Sequence, residues 1–86
     1  MIGLKKYILL LTQFVSGEIT AIQFEKIYLK TFLKEEEIFS ERVEDILNDL
    51  FFDVEDYCQY PDLRDEGDLD EEGLLRNAKN ALDKLI

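Results

Sequence analysis

Apolar residues return every three or four positions in four separate stretches of this chain, and nowhere do they alternate with period two for long. That spacing is one face of a helix, so the chain must pack four amphipathic helices against one another. The first stretch, Leu4 to Ser16, presents Leu4, Tyr7, Ile8, Leu11, Phe14 and Val15, with Leu9 and Leu10 widening the face. Ser16-Gly17 stops it, glycine being suited to the left-handed position just past a helix end. Thr20 and Gln23 then form a capping box, with Ile19 and Phe24 placed as the accompanying hydrophobic staple. This second helix runs through Phe24, Ile27, Tyr28 and Phe32 toward Lys34, and Lys26, Lys30 and Lys34 lie toward its end, where cations suit the helix dipole.

Glu35-Glu36-Glu37 reads as a link or a frayed end, and Ser40 as the N-cap of a third helix. The buried face of that helix is Val43, Ile46, Leu47, Leu50, Phe51 and Val54, with Cys58 continuing it. The opposite side carries Asp45, Asp49, Asp53 and Asp56. Pro61 ends the helix at or before Tyr60, because the residue preceding proline disfavours the helical region. Asp68 or Asp70 caps the last helix, which buries Leu74, Leu75, Ala78, Ala81, Leu82 and Leu85. Eighty-six residues make one domain. Ten aromatics and a 47% hydrophobic composition suffice for one modest core. Four amphipathic helices with short links predict an all-α, antiparallel four-helix bundle over residues 1–86.

The charge is distributed less evenly than the apolar residues. Between Asp53 and Glu72 lie ten of the chain's twenty carboxylates against one cation, Arg64, together with Tyr57, Tyr60 and the sole proline. A run of like charge is usually solvated or disordered, but apolar helices flank this one on both sides. The folded parts therefore hold it at both ends and present a fixed negative surface. The net charge is −10 with no histidine, which repels nucleic acid and anionic membrane and attracts basic partners. Surfaces that grip phosphates are the commonest basic ones, so the expected partner is a nucleic-acid-binding or nucleic-acid-cutting protein. Tyr60 is expected to contact that partner and Tyr57 to cap the core.

Catalysis finds no footing. Histidine is missing, so a nucleophilic triad lacks its base, and a single cysteine, Cys58, cannot build a transition-metal site. A small bundle also offers little room for a substrate cleft. The run from Asp62 has an EF-hand's Gly67 at loop position six and Leu69 at position eight. Arg64 and Gly73, however, occupy positions that need oxygen ligands. Neither Ser16 nor Ser40 stands in the Asp-Ser-Leu setting of an acyl carrier protein. No cofactor, metal or small-molecule substrate is expected. The lone cysteine gives no sign of an oxidising compartment. The apolar start is too short and interrupted for a signal peptide or membrane span, so the cytoplasm is the expected location.

Ile19-Thr20-Ala21-Ile22-x-Phe24, Leu50-Phe51, Pro61-Asp62 and Leu69-Asp70-x-x-Gly73-Leu74 occur in an order and spacing similar to one family. On these blocks, over nearly its full length, the chain resembles the immunity proteins of colicin D and related tRNase toxins, the bacterial self-protective colicin-like immunity proteins. The resemblance implies a four-helix bundle that binds the nuclease domain of its cognate toxin, its acidic surface covering the basic active-site cleft and mimicking tRNA phosphates. By position, Glu55 and Asp62 match acidic positions of the family pattern. Charge clustering extends the expected toxin-binding set to Asp56, Tyr60, Asp65, Glu66 and Asp68, in a 1:1 complex. The toxin is equally a colicin-type bacteriocin or one of contact-dependent growth inhibition. The other reading of the charge is an acidic adaptor, or a nucleic-acid mimic that inhibits some other basic protein.

Overall fold

A computed structural model describes residues 2–58, Leu63 and residues 68–86. Four helices form there: α1 (Ile2–Val15), α2 (Ala21–Leu33), α3 (Glu41–Asp56) and α4 (Glu71–Leu85). α1 packs against α2 and α4, and α3 packs against the same two, so α1 and α3 stand at opposite corners of a four-helix bundle. The short links make neighbours antiparallel. In agreement, the Arg42 guanidinium at the start of α3 donates to the Lys84 carbonyl at the end of α4.

Local chemistry sets each boundary. α1 closes in a Schellman turn: the Glu18 amide donates to the Gln13 carbonyl at 2.8 Å and the Gly17 amide to the Phe14 carbonyl at 3.1 Å. Gly17 sits at φ 86°, in the left-handed region. α2 opens on the capping box, with the Gln23 amide donating to the Thr20 hydroxyl and the Thr20 amide to the Gln23 side chain. Ser40 caps α3 through the Val43 amide, and Asp70 rather than Asp68 caps α4 through the Gly73 amide.

α3 ends at Asp56, earlier than Pro61 requires. Tyr57 turns to extended geometry. The Cys58 amide then donates to the Leu69 carbonyl at 2.9 Å, and the Leu69 amide donates to the Asp56 carbonyl at 2.8 Å. These two bonds tie the chain on either side of residues 59–67 into a neck. Cys58, expected on the buried face of α3, therefore lies beyond the helix and is half-buried.

The core is Tyr7, Leu10, Leu11 and Phe14 of α1, Ala21, Phe24 and Tyr28 of α2, Phe39 of the link, Leu47, Leu50 and Val54 of α3, and Leu74, Ala78 and Ala81 of α4. Leu10 does widen the α1 face, but Leu9 points away and is 58% exposed. α4 contributes small residues at Gly73, Ala78 and Ala81, while the aromatic bulk comes from the other three helices. Phe14 stacks on Phe24 at 4.4 Å, Tyr28 on Phe32 at 5.8 Å and Phe32 on Phe51 at 4.9 Å. The Tyr28 hydroxyl, fully buried, donates to the Leu47 carbonyl at 2.7 Å and joins α2 to α3.

The glutamate triplet is more than a link. Glu35 folds back to pair with Lys6 at 2.9 Å, its side chain only 13% exposed. It also accepts from the Glu37 amide and faces the buried Tyr7 hydroxyl, whose ionisation is pushed far up by burial and by this carboxylate. Burial alone pushes the Glu35 carboxyl up, but Lys6, the Glu37 amide and Tyr7 together outweigh it and hold its pKa below the ordinary value. Glu37 lies over Gly3, where an added Cβ would come within 2.5 Å of its Oε2. Both carboxylates thus meet the positive end of α1, which its own Lys5 and Lys6 would otherwise leave uncompensated.

Two stability outcomes follow from this architecture. Gly17→Ala meets no neighbouring atom within 4 Å, so its cost is the left-handed backbone alone, about 1 kcal/mol, read as a lower denaturant midpoint. Tyr28→Phe removes one buried donor while Leu47 keeps its helical bond, and it costs about 1 kcal/mol in the same assay.

Candidate functional site

Charge divides the bundle. Residues 1–34 carry five lysines and two glutamates, whereas residues 35–86 carry eighteen carboxylates and five cations. α3 concentrates the negative side. Asp45, Asp49 and Asp56 are exposed along its outer face and Asp53 is half-buried beside them. Carboxylates at its start, Glu41 and Glu44, suit the helix dipole. Its last turn contains Asp53, Glu55 and Asp56 and no cation, so three carboxylates sit at the negative end of the dipole. That arrangement works against the helix, since anions stabilise N-termini and cations C-termini. It also sums several negative contributions into one outward field.

Asp53 shows the strain most directly. Burial, then the nearby charges of Asp56 and Asp49, push its carboxyl above the ordinary carboxylate value, and a hydrogen bond with Asn77 only partly offsets them. It lies in a groove of about 450 Å³ between α3 and α4. Ile46, Leu50 and Ala81 line the groove with apolar surface, Asp49, Asp53, Asn77, Asn80 and Lys84 supply its polar groups, and Phe52 stands at its wall. Phe52 is 61% exposed, yet its ring is held edge-on to Phe51 at 5.9 Å.

The expected partner-binding residues divide into three groups. Glu55 and Asp56 are exposed at the end of α3, on the strained turn. Asp68 is half-buried next to the neck. Tyr60, Asp62, Asp65 and Glu66 lie outside the described residues, as do Arg64 and Gly67 of the EF-hand-like run. Tyr57 packs against the core, as expected of it. Phe52 belongs to the same exposed stripe, and no role is assigned to it from the sequence. Its position in sequence signals that placement: Asp45, Asp49, Phe52 and Asp56 recur at spacings of four, three and four, on the acidic side of the helix.

A second cleft, of about 210 Å³, lies between the link, α2 and α3 and is also acidic, with Glu35, Glu37 and Glu44 over Phe32 and Phe39. Its carboxylates already serve the fold. Glu35 holds Lys6, Glu37 covers Gly3, and Glu44 accepts from the Phe39 amide at 3.3 Å. Among the described residues no group of three or more His, Cys, Asp or Glu side chains is arranged to hold a metal ion.

Asp53 therefore costs the folded state stability at neutral pH. The native protein holds its proton more tightly than the unfolded chain does. The penalty is absent below the unfolded carboxyl pKa and grows as pH rises through the folded one. Asp53→Asn is expected to melt higher than the wild type at pH 7, with the difference fading as pH falls through the carboxylate range.

No helix among the described residues is long and apolar enough to cross a membrane. A search of curated proteins finds no match for the chain. A family model described as "Bacterial self-protective colicin-like immunity" matches residues 2–85, which takes in all four helices and the acidic segment between α3 and α4. Immunity proteins bind and neutralise a toxin rather than catalyse a reaction. A bundle whose third helix ends in three carboxylates with no cation in that turn is consistent with that role. The chain belongs to the bacterial self-protective colicin-like immunity family.

Proposed function

We propose that this immunity protein neutralises a tRNA-cleaving toxin by laying the C-terminal part of α3, and the acidic segment that follows it, over the toxin's basic active-site cleft. The observation that supports this reading is the last turn of α3, where Asp53, Glu55 and Asp56 stand at the negative end of the helix dipole with no cation among them. A cleft that grips tRNA phosphates must present lysines and arginines, and carboxylates on a rigid helix offer those groups a partner in place of phosphate. Asp62, Asp65, Glu66 and Asp68 extend the same charge along the chain, and Tyr60 would add contact area at low entropic cost. Inhibition is then competitive and steric, in a 1:1 complex within the cytoplasm that must be protected. Opposed fields speed encounter and suppress other partners.

The double reversal Glu55→Lys with Asp56→Lys is expected to slow association with the toxin domain encoded beside the protein by about tenfold or more at low salt, with the thermal melt retained because both residues are exposed. tRNA cleavage should return in parallel. Raising the ionic strength should slow the wild type more than the variant. Association unchanged by the reversal would place the contact elsewhere, and binding without protection of tRNA would separate the partner from the proposed blocking of its active site.

A further inference from the structure

The α3–α4 groove combines three features that select one kind of guest. Its floor is apolar, made by Ile46, Leu50 and Ala81. One end carries Asp49 and Asp53, a single helical turn apart, so that their Cβ atoms are about 5–6 Å from each other. Beside them an aromatic ring, Phe52, is 61% exposed and braced from behind by Phe51. Among the described residues, no ion pair joins the groove's own cation, Lys84, to Asp49 or Asp53. Lys84 follows Asn77, the hydrogen-bonding partner of Asp53, by seven residues, or about 10 Å along α4.

We infer that this groove receives one arginine side chain of the bound toxin, its guanidinium shared between Asp49 and Asp53 and stacked on Phe52, with its methylenes on Leu50 and Ala81. The inference rests on the immunity reading above and deepens it, because it names a point of attachment on that acidic face. Arginine fits better than lysine on chemical grounds. A planar fork of donors can serve two carboxylates at once and lie flat on a ring, whereas an ammonium is a strongly hydrated point charge. The long aliphatic stem suits the apolar floor. Asn77 lines the groove with Asp53 and favours the charged form of its carboxyl. The arrangement also assigns the stability lost at Asp53 a return in binding: an incoming guanidinium relieves the repulsion among Asp49, Asp53 and Asp56.

Titration calorimetry against the toxin domain encoded next to the protein tests this, using Phe52→Ala, Asp53→Asn, their combination, and Asn80→Arg, which fills the groove with a cation of the protein's own. Each variant is first checked for helicity and melting, and only those that keep the wild-type helicity are titrated. Phe52→Ala and Asp53→Asn should each weaken binding about tenfold or more. The double variant should lose less than the product of the two, because both side chains hold the same guanidinium. Asn80→Arg should weaken binding at least as much. Arginine-to-lysine changes across the toxin should reveal one that weakens binding to the wild type but not to Asp53→Asn. A dissociation constant within about twofold of wild type for both Phe52→Ala and Asn80→Arg overturns the groove, as do independent, multiplicative losses with no coupled arginine. If Glu55→Lys with Asp56→Lys still weakens binding in that case, the immunity reading stands without the groove. If the wild type does not bind the toxin at all, both fall together.

Discussion

The structure depends on one buried tyrosine. Tyr28 is fully enclosed, and its hydroxyl finds the Leu47 carbonyl on the neighbouring helix, which settles how α2 and α3 sit against each other. Its ring is the hub of an aromatic series, touching Tyr7, Phe24 and Phe32. From Phe32 the series passes to Phe51 and then to Phe52. Aromatic pairs contribute about 0.5–1.5 kcal/mol each beyond the area they bury, so this column does much of the stabilising work in a domain with a small core. It also connects the deepest part of the protein to a ring on its surface. Phe52 is thus presented by a packed stack rather than by a free side chain, which limits the ordering cost of any contact it makes.

Charge is handled in two opposite ways at the two ends of this column. Where α1 begins, Lys5 and Lys6 oppose the helix dipole and the link compensates by folding Glu35 and Glu37 onto that end. Where α3 ends, the last turn holds no cation, and Asp53, Glu55 and Asp56 gather at the negative end of the helix. Local violations of this kind collect at functional sites. The acidic cleft near Glu35 and the acidic face of α3 therefore differ in kind despite similar composition. In the first the carboxylates have partners within the protein. In the second Asp49 and Asp53 crowd each other, and only the amide of Asn77 answers Asp53.

Much of the fold was legible because its signals are local. The Thr20–Gln23 box, the Ser40 cap, and Gly17 past the end of α1 each act within a few residues, and each does what its chemistry predicts. The apolar period found the core residues Tyr7, Leu11, Phe14, Leu47, Leu50, Val54, Leu74 and Ala78. Tertiary choices were not legible. α3 stops at Asp56 because Cys58 and Leu69 exchange helical geometry for a pairing across eleven residues, which no local rule contains, and so Cys58 leaves the helix. Leu9 and Phe52 are apolar residues that face outward, and only the phase of Phe52 relative to the aspartates betrays it. Glu35 looked like solvated linker because its partner, Lys6, lies twenty-nine positions away. Of the residues expected to bind a toxin, Glu55, taken from the family pattern, and Asp56, taken from charge clustering, are exposed at the end of α3.

The pairing of Cys58 with Leu69 has a consequence for how such a protein can diversify. The bonds from Cys58 to Leu69 and from Leu69 to Asp56 run between backbone groups, so the flanks of the acidic segment are joined without calling on any side chain. Lengthening a closed segment adds only about 0.6 kcal/mol for each doubling. A change of length between the two flanks is therefore cheap in closure entropy. A lineage of such proteins can vary that stretch in length while the four helices are inherited intact.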